Sequence, residues 1–275
     1  MTVLRLYPAP QQKIPLKGLY LSLSLHRQAE SGEVFIYANF IASLDGRISL
    51  LDAHGEQGVP ASLANKRDWR LYQELAAQSD IMLTSARYFR QLARGNAQDL
   101  LPVGREADYA DLAAWRLNEG LTVQPDVAIL SRSLDIPQAA LEKVQDRRVL
   151  VLTGADAPQS QVDRLTQQGL AVLRSEAQEL DGPAIRRLLA GEGYRSAYMI
   201  AGPEVHRTLL DGGLDMLFLT QRHRLLGGDD FRSIMQGNLA RPVDMQLRSL
   251  YLDEQACLDE RGGQSFASYA VLPQG

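Results

Sequence analysis

Residues 35 to 49 read FIYANFIASLDGRIS, an apolar run whose single amide is Asn39 and which stops at the turn-forming Ser43-Leu44-Asp45-Gly46. A strand covered on both faces loses polar alternation, so the run reads as a buried strand that opens into a polar turn. In open α/β sheets ligands bind beyond the carboxyl ends of the strands, which makes that turn the first place to look for a site.

Outward from this strand the pattern repeats. A helix is predicted over Leu63 to Gln78 with Ser62 as its cap, then a strand over Asp80 to Thr84 closed by Ser85-Ala86-Arg87. Short strands at 127–130, 149–152, 170–173 and 197–200 alternate with helices at 160–168, 183–189 and 203–210, with Pro203 suited to a first helical position. Residues 107 to 118 read as a helical insertion, and the last third holds longer strand-like segments at 214–226, 243–258 and 266–272. Such alternation implies a largely parallel sheet with crossover helices, and the helix-poor end implies antiparallel strands at one edge. Residues 1 to 33 form an N-terminal extension, in which the alternating YLSLSLH of Tyr20 to His26 reads as an extra edge strand or packing arm. Residues 34 to 275 form the main domain.

The 275 residues are 45% hydrophobic and 23% charged, which is ordinary for a globular protein. A formal net charge of -4 gives no electrostatic footprint for nucleic acid or an anionic membrane, and short basic pairs such as Arg186-Arg187 read as solvated faces. No apolar run reaches membrane-spanning length and no signal-peptide layout opens the chain, so a cytoplasmic location is expected. Cys257 is the single cysteine and reads as a small buried hydrophobe. The four histidines, His26, His54, His206 and His223, have no metal-ligand spacing, and no GxGxxG, GxxxxGK[ST] or GxSxG sequence occurs.

Three strand ends carry candidate chemistry: Asn39/Ser43/Asp45, Ser131-Arg132-Ser133 and Gly202-Pro203-Glu204. Hydroxyls beside a guanidinium suit a phosphate monoester. Backbone N–H groups at a glycine-led helix start suit a pyrophosphate. Together they describe a phosphorylated dinucleotide across the carboxyl edge of the sheet, beside the plainer readings of a turn at 131–133 and an ordinary helix start at 202.

Five segments, in order, resemble the C-terminal reductase domain of bacterial riboflavin biosynthesis proteins: SLDGRIS at 43–49, LAAQSDIMLTSARYF at 75–89, SRSLDIP at 131–137, AGPEVHRTLLDGGLD at 201–215 and LLGG at 225–228. The resemblance implies a three-layer α/β/α dihydrofolate-reductase-like fold with a mostly parallel central sheet and antiparallel C-terminal strands. It further implies a homodimeric NADPH-dependent pyrimidine reductase acting on a phosphoribosylamino-pyrimidine. By position, Ser131, Arg132 and Ser133 would hold the cofactor's 2′-phosphate and Gly202, Pro203, Glu204 and Val205 its pyrophosphate. Thr84 and Ser85 would flank the nicotinamide, while Asn39, Ser43 and Asp45 would meet the substrate. The chain departs from the family pattern at Ala76, at Ser85 to Tyr88, at Ala201 and at Met216. With Ala201 where an acid is usual, Asp45 is the expected proton-handling residue. Two alternatives stand beside this reading: a non-catalytic cofactor-binding or ligand-sensing protein of the same fold, and a dihydrofolate-type reductase.

Overall fold

The computed structural model describes residues 1–51, 57–97, 100, 102–254 and 262–273. Its strands are β1 (Thr2–Tyr7), β2 (Gln12–Pro15), β3 (Phe35–Ser43), β4 (Ser49–Leu51), β5 (Gln57–Gly58), β6 (Ile81–Ser85), β7 (Asp126–Leu130), β8 (Val149–Thr153), β9 (Ala171–Arg174), β10 (Ser196–Met199), β11 (Met216–Arg222), β12 (Phe231–Arg232), β13 (Met245–Asp253) and β14 (Gln264–Val271). The helices are α1 (Lys66–Ala77), α2 (Ala86–Ala93), α3 (Ala110–Asn118), α4 (Gln138–Leu141), α5 (Gln159–Gln167), α6 (Gly182–Gly191) and α7 (Pro203–Leu210).

One sheet runs β2-β1-β13-β14-β11-β3-β10-β6-β7-β8-β9. From β11 to β9 the neighbours are parallel, and β14, β13, β1 and β2 add an antiparallel wing. The mostly parallel sheet, the helices on both faces and the antiparallel end are as the sequence pattern implies. β3 is apolar along its length because both its faces are covered. Ile36, Ala38 and Phe40 pack beneath the α6/α7 layer, and Tyr37 packs beneath α1 and the N-terminal arm. A third apolar cluster holds α2, α4 and α5 against β7 and β8.

Three expectations change. Of the two readings for Tyr20 to His26, the edge strand is not found; the segment is a packing arm of two 3-10 turns, Leu21–Leu23 and Leu25–Arg27, with Ser24 left-handed at φ 47° between them. The added strands are β1 and β2 instead, and the arm behind them is seated by buried polar groups on α1. The Glu74 carboxylate accepts the N–H groups of Gly18 (2.6 Å) and Tyr20 (3.0 Å) and the Arg70 Nε (2.8 Å), and Gln78 exchanges hydrogen bonds with Leu25 and Tyr20. Losing a partner of such a buried charge costs roughly 3–5 kcal/mol, and Leu16, Leu19, Tyr20 and Leu25 of the arm join the core beside α1. Secondly, Asn65 rather than Ser62 caps α1, its side-chain oxygen accepting from the N–H groups of Arg67 (3.1 Å) and Asp68 (3.0 Å). Thirdly, Arg186 is not simply solvated, for it donates to the Val34 and Gly213 carbonyls and pairs with Asp215 at 2.9 Å.

The 107–118 segment is a structural brace. Arg116 is fully buried, and its Nη1 donates to the carbonyls of Ala77 (2.9 Å) and Ser79 (2.8 Å), closing the end of α1. A helix end leaves carbonyls without intrahelical partners, and a guanidinium is the donor best able to serve several at once. Cys257 and His54 lie outside the described residues.

Candidate active site

The carboxyl ends of the parallel strands hold the residues singled out in the sequence, and the chain's crossings diverge there. From β6 the chain leaves into α2 on the face of Tyr37, whereas from β10 it leaves into α7 on the opposite face. Because β6 and β10 are neighbours, their ends part, which is the arrangement in which open α/β sheets bind ligands.

Of the expected cofactor residues, Thr84 and Ser85 end β6 and Gly202 to Val205 open α7, so they border this crevice from its two sides. Thr84 Oγ1 is buried without a hydrogen-bond partner among the described residues. Ser85 caps α2 by accepting from the Tyr88 N–H at 3.4 Å. No side chain caps α7, whose first turn therefore presents open N–H groups with positive helix-end potential.

One strand further on, Ser131 is buried and accepts the Leu134 N–H at 2.9 Å, while Ser133 accepts the Asp135 N–H at 3.4 Å. The turn reading of these two serines is thus realised, with each hydroxyl proton still to give. Arg132 stands out from the surface, and its partner is the equally exposed Glu179 at 3.4 Å.

Arg87 and Arg232 add positive charge at the mouth. Glu204, from the first turn of α7, lies 3.7 Å from Arg87 and 3.4 Å from Arg232. Its exposed carboxylate occupies the place where an incoming anion would meet both cations. The donor set of Arg87, Arg132, Arg232, two serine hydroxyls and a helix start fits a multiply phosphorylated dinucleotide.

Asp45 is somewhere other than expected in chemical terms. Its carboxylate accepts the Ser43 hydroxyl, the N–H groups of Gly227 (2.9 Å) and Leu226 (3.1 Å), and Arg47 Nη1 (2.8 Å). Arg47 in turn donates to the Gly228 carbonyl at 2.7 Å and lies 4.3 Å over the Phe231 ring. Led by the Ser43 hydroxyl and then the Gly227 N–H, these bonds hold the Asp45 carboxyl well below the usual carboxylate range. It therefore ties the SLDG turn to the glycine turn at 227–228, whose φ values of 69° and 89° favour glycine.

Asp68 is not singled out by its sequence context. This residue sits in the first turn of α1, where a helix start ordinarily favours an ionised carboxylate. Burial overrides that preference and pushes its carboxyl up to about 6, against opposing contributions from the Thr220 hydroxyl and the Arg222 charge. Its Oδ1 has no hydrogen-bond partner among the described residues.

Around Asp68 the setting is rigid and aromatic. Arg67 pairs with buried Asp253 at 2.5 Å, Gln264 donates to Asp253 at 2.8 Å, and Asn65 donates to Gln264 at 2.8 Å, so the start of α1 is locked to β13 and β14. Tyr72 neighbours both Asp68 and Tyr88, and its ring meets that of Tyr198 at 5.6 Å. Tyr198 gives its hydroxyl to the Asn39 side-chain oxygen at 2.5 Å, leaving the Asn39 amide hydrogens for other acceptors. An acid in the first turn of a helix reads in sequence as ordinary helix-start charge. Its burial depends on β11, 152 positions away at Thr220, which local pattern does not reveal.

A family model described as the RibD C-terminal domain matches residues 34–257. The chain belongs to that family. Its fold is similar to that of a pyrimidine reductase-like protein from Corynebacterium diphtheriae (TM-score 0.68, 18% identity, 95% of this chain and 100% of that one). It is also similar to the deaminase/5-amino-6-(5-phosphoribosylamino)uracil reductase of Thermotoga maritima (0.56, 16%, 87% and 57%) and to the Saccharomyces riboflavin biosynthesis reductase (0.55, 12%, 93% and 99%). This chain therefore spans a little over half of the Thermotoga protein. No curated protein sequence matches it. Among the described residues, no helix is long and apolar enough to cross a membrane.

Proposed function

We propose that this chain is an NADPH-dependent reductase of a small heterocyclic substrate, of the kind its family would take from a riboflavin-type pathway. The observation that carries the reading is the crevice between β6 and β10. One side of it carries a cationic, helix-led anion site, and the buried Asp68 carboxyl, beside Thr220 of β11, is assigned as the proton source for the substrate end.

When bound, the dinucleotide supplies a hydride; the protein has to orient two rings and deliver one proton. Arg132, Ser131 and Ser133 are assigned to the 2′-phosphate and the start of α7, Gly202 to Val205, to the pyrophosphate. Glu204 yields its arginines to the phosphates on binding. Thr84 and Ser85 border the nicotinamide side. Asn39 faces the substrate, and Tyr72, Tyr88 and Tyr198 form its apolar walls. Asp68 gives the proton that balances hydride addition across a C=N or C=O bond, the hydride going to carbon and the proton to the heteroatom. Ser43 and Asp45 are assigned to shaping the floor, and the proton role moves from Asp45 to Asp68.

A cofactor-binding protein without turnover is the second reading, favoured by the bulky turn Ser85-Ala86-Arg87-Tyr88 and by Ala201 where the family usually has an acid. Thermal shift tests the first requirement of both: NADPH must raise the melting temperature because it binds only the folded chain. No shift at saturating NADPH would end the reductase reading. NADPH oxidation over pyrimidine and pterin substrates then distinguishes turnover from binding.

We also propose a homodimer. On the antiparallel wing Leu4 pairs with Leu252 and Leu250 with Ala267, and this side of the wing, with Leu4, Leu250, Leu252 and Tyr269 half-buried, is the one away from Tyr251 and Phe266. Sedimentation of Leu252→Arg as a monomer, against a dimeric parent, is the expected result.

A further inference from the structure

The face of the sheet that carries the N-terminal arm borders a partly open cavity of about 550 Å³ at the opposite end of the strands from the crevice. Phe35 and Met216, the first residues of β3 and β11, lie on its floor, together with Tyr251 and Ser268 from the antiparallel wing. Leu23 and Leu25 of the 3-10 turns form the roof. Pockets for small organic ligands run from roughly 300 to 1,000 Å³ and are mainly apolar with a few placed polar groups, which is the character of this one.

Its charges are unbalanced. Asp215, the acid in the lining, already accepts the Ile36 N–H (2.7 Å) and Arg186 (2.9 Å). Arg5 donates to the Pro10 carbonyl (3.3 Å) and Gln12 (3.2 Å), and Arg248 to Gln246 (3.2 Å), all neutral acceptors. Among the described residues neither arginine has a carboxylate partner. Deeper in, buried Ser249 and Ser268 share a hydrogen bond of 2.6 Å. A mutual bond uses one of their two hydroxyl protons, so the pair retains a donor beside the apolar floor.

We propose that this cavity binds a small amphipathic monoanion: an apolar, ring-sized body against Phe35, Met216 and Tyr251, with one carboxylate or sulfonate held by Arg5 and Arg248. The site is separate from the reductase crevice, since it lies where the parallel strands begin and the crevice lies where they end. It stands whether or not the reductase reading does.

Fluorescence titration of the whole chain with 8-anilinonaphthalene-1-sulfonate tests it. One probe per chain is expected, undisplaced by added NADPH. Arg248 is exposed, so Arg248→Glu keeps the fold; it should weaken the sulfonate probe about tenfold or more by removing a charge-assisted contact, and leave the uncharged N-phenyl-1-naphthylamine unaffected. Ala270→Trp, which fills the cavity from a half-exposed position, should abolish binding of both probes. Absence of saturable binding, displacement by NADPH, or an unchanged affinity in Arg248→Glu would each overturn the assignment. Should Ala270→Trp fail to fold, the Arg248→Glu comparison decides alone.

Discussion

Replacing Asp68 by asparagine puts the central assignment at risk in two independent measurements. The carboxyl is pushed from an ordinary 3.8 to about 6 by burial, a difference worth roughly 3 kcal/mol between its protonation states. The folded-state value is the raised one, so folding disfavours the ionised form. Below pH 4 the group is protonated in both states and the penalty is nearly absent. It grows between pH 4 and 6 and is complete above pH 6. An asparagine side chain keeps the size and can still accept from Thr220 but carries no charge. Urea unfolding should therefore show the Asp68→Asn variant gaining roughly 2–3 kcal/mol over the parent between pH 4 and pH 8. Turnover should move the other way, falling about a hundredfold or more, which is the usual contribution of a positioned general acid. A parent stability with no such pH dependence would refute the buried, proton-holding carboxyl. A variant that gained stability yet reduced substrate normally would refute its role in the chemistry.

Other outcomes follow from the same geometry. Arg132→Ala should weaken NADPH binding severalfold in calorimetry while leaving weak NADH binding unchanged, and equal loss for both would remove the 2′-phosphate assignment. Glu204→Gln should tighten NADPH, because the carboxylate that competes for Arg87 and Arg232 is gone; weaker binding would show that Glu204 is a cofactor ligand. Asp45→Asn should cost stability at neutral pH, and since the folded value is depressed that cost should shrink progressively as pH falls from the ordinary 3.8 through the depressed folded value; its turnover should suffer less than that of Asp68→Asn. Arg116→Met should destabilise by on the order of 3 kcal/mol in urea unfolding by orphaning the buried carbonyls of Ala77 and Ser79, without changing cofactor affinity in the folded chain.

The sequence by itself determined the layered architecture, because the signals for it are local. The apolar run of β3, the short strands of β6 to β10 and the proline at the start of α7 each follow from burial or backbone preference over a few residues. The same local signals put Thr84 and Ser85 at the end of β6 and Gly202 at the start of α7. What the tertiary structure decided concerns residues whose roles depend on distant neighbours. The leucines and serines at 20 to 26 alternate like a strand, yet Glu74 and Gln78 on α1 capture their backbone and turn it. Asp45 has the composition of a catalytic acid, but the N–H groups of Leu226 and Gly227, far along the chain, bind it into a turn. Asp68 has the look of helix-start charge, and only the closing of β11 over it removes the water that would keep it acidic. Hydrophobic period and turn chemistry are written in neighbouring residues; desolvation and the choice of hydrogen-bond partner are set by whichever segments the folded sheet brings together.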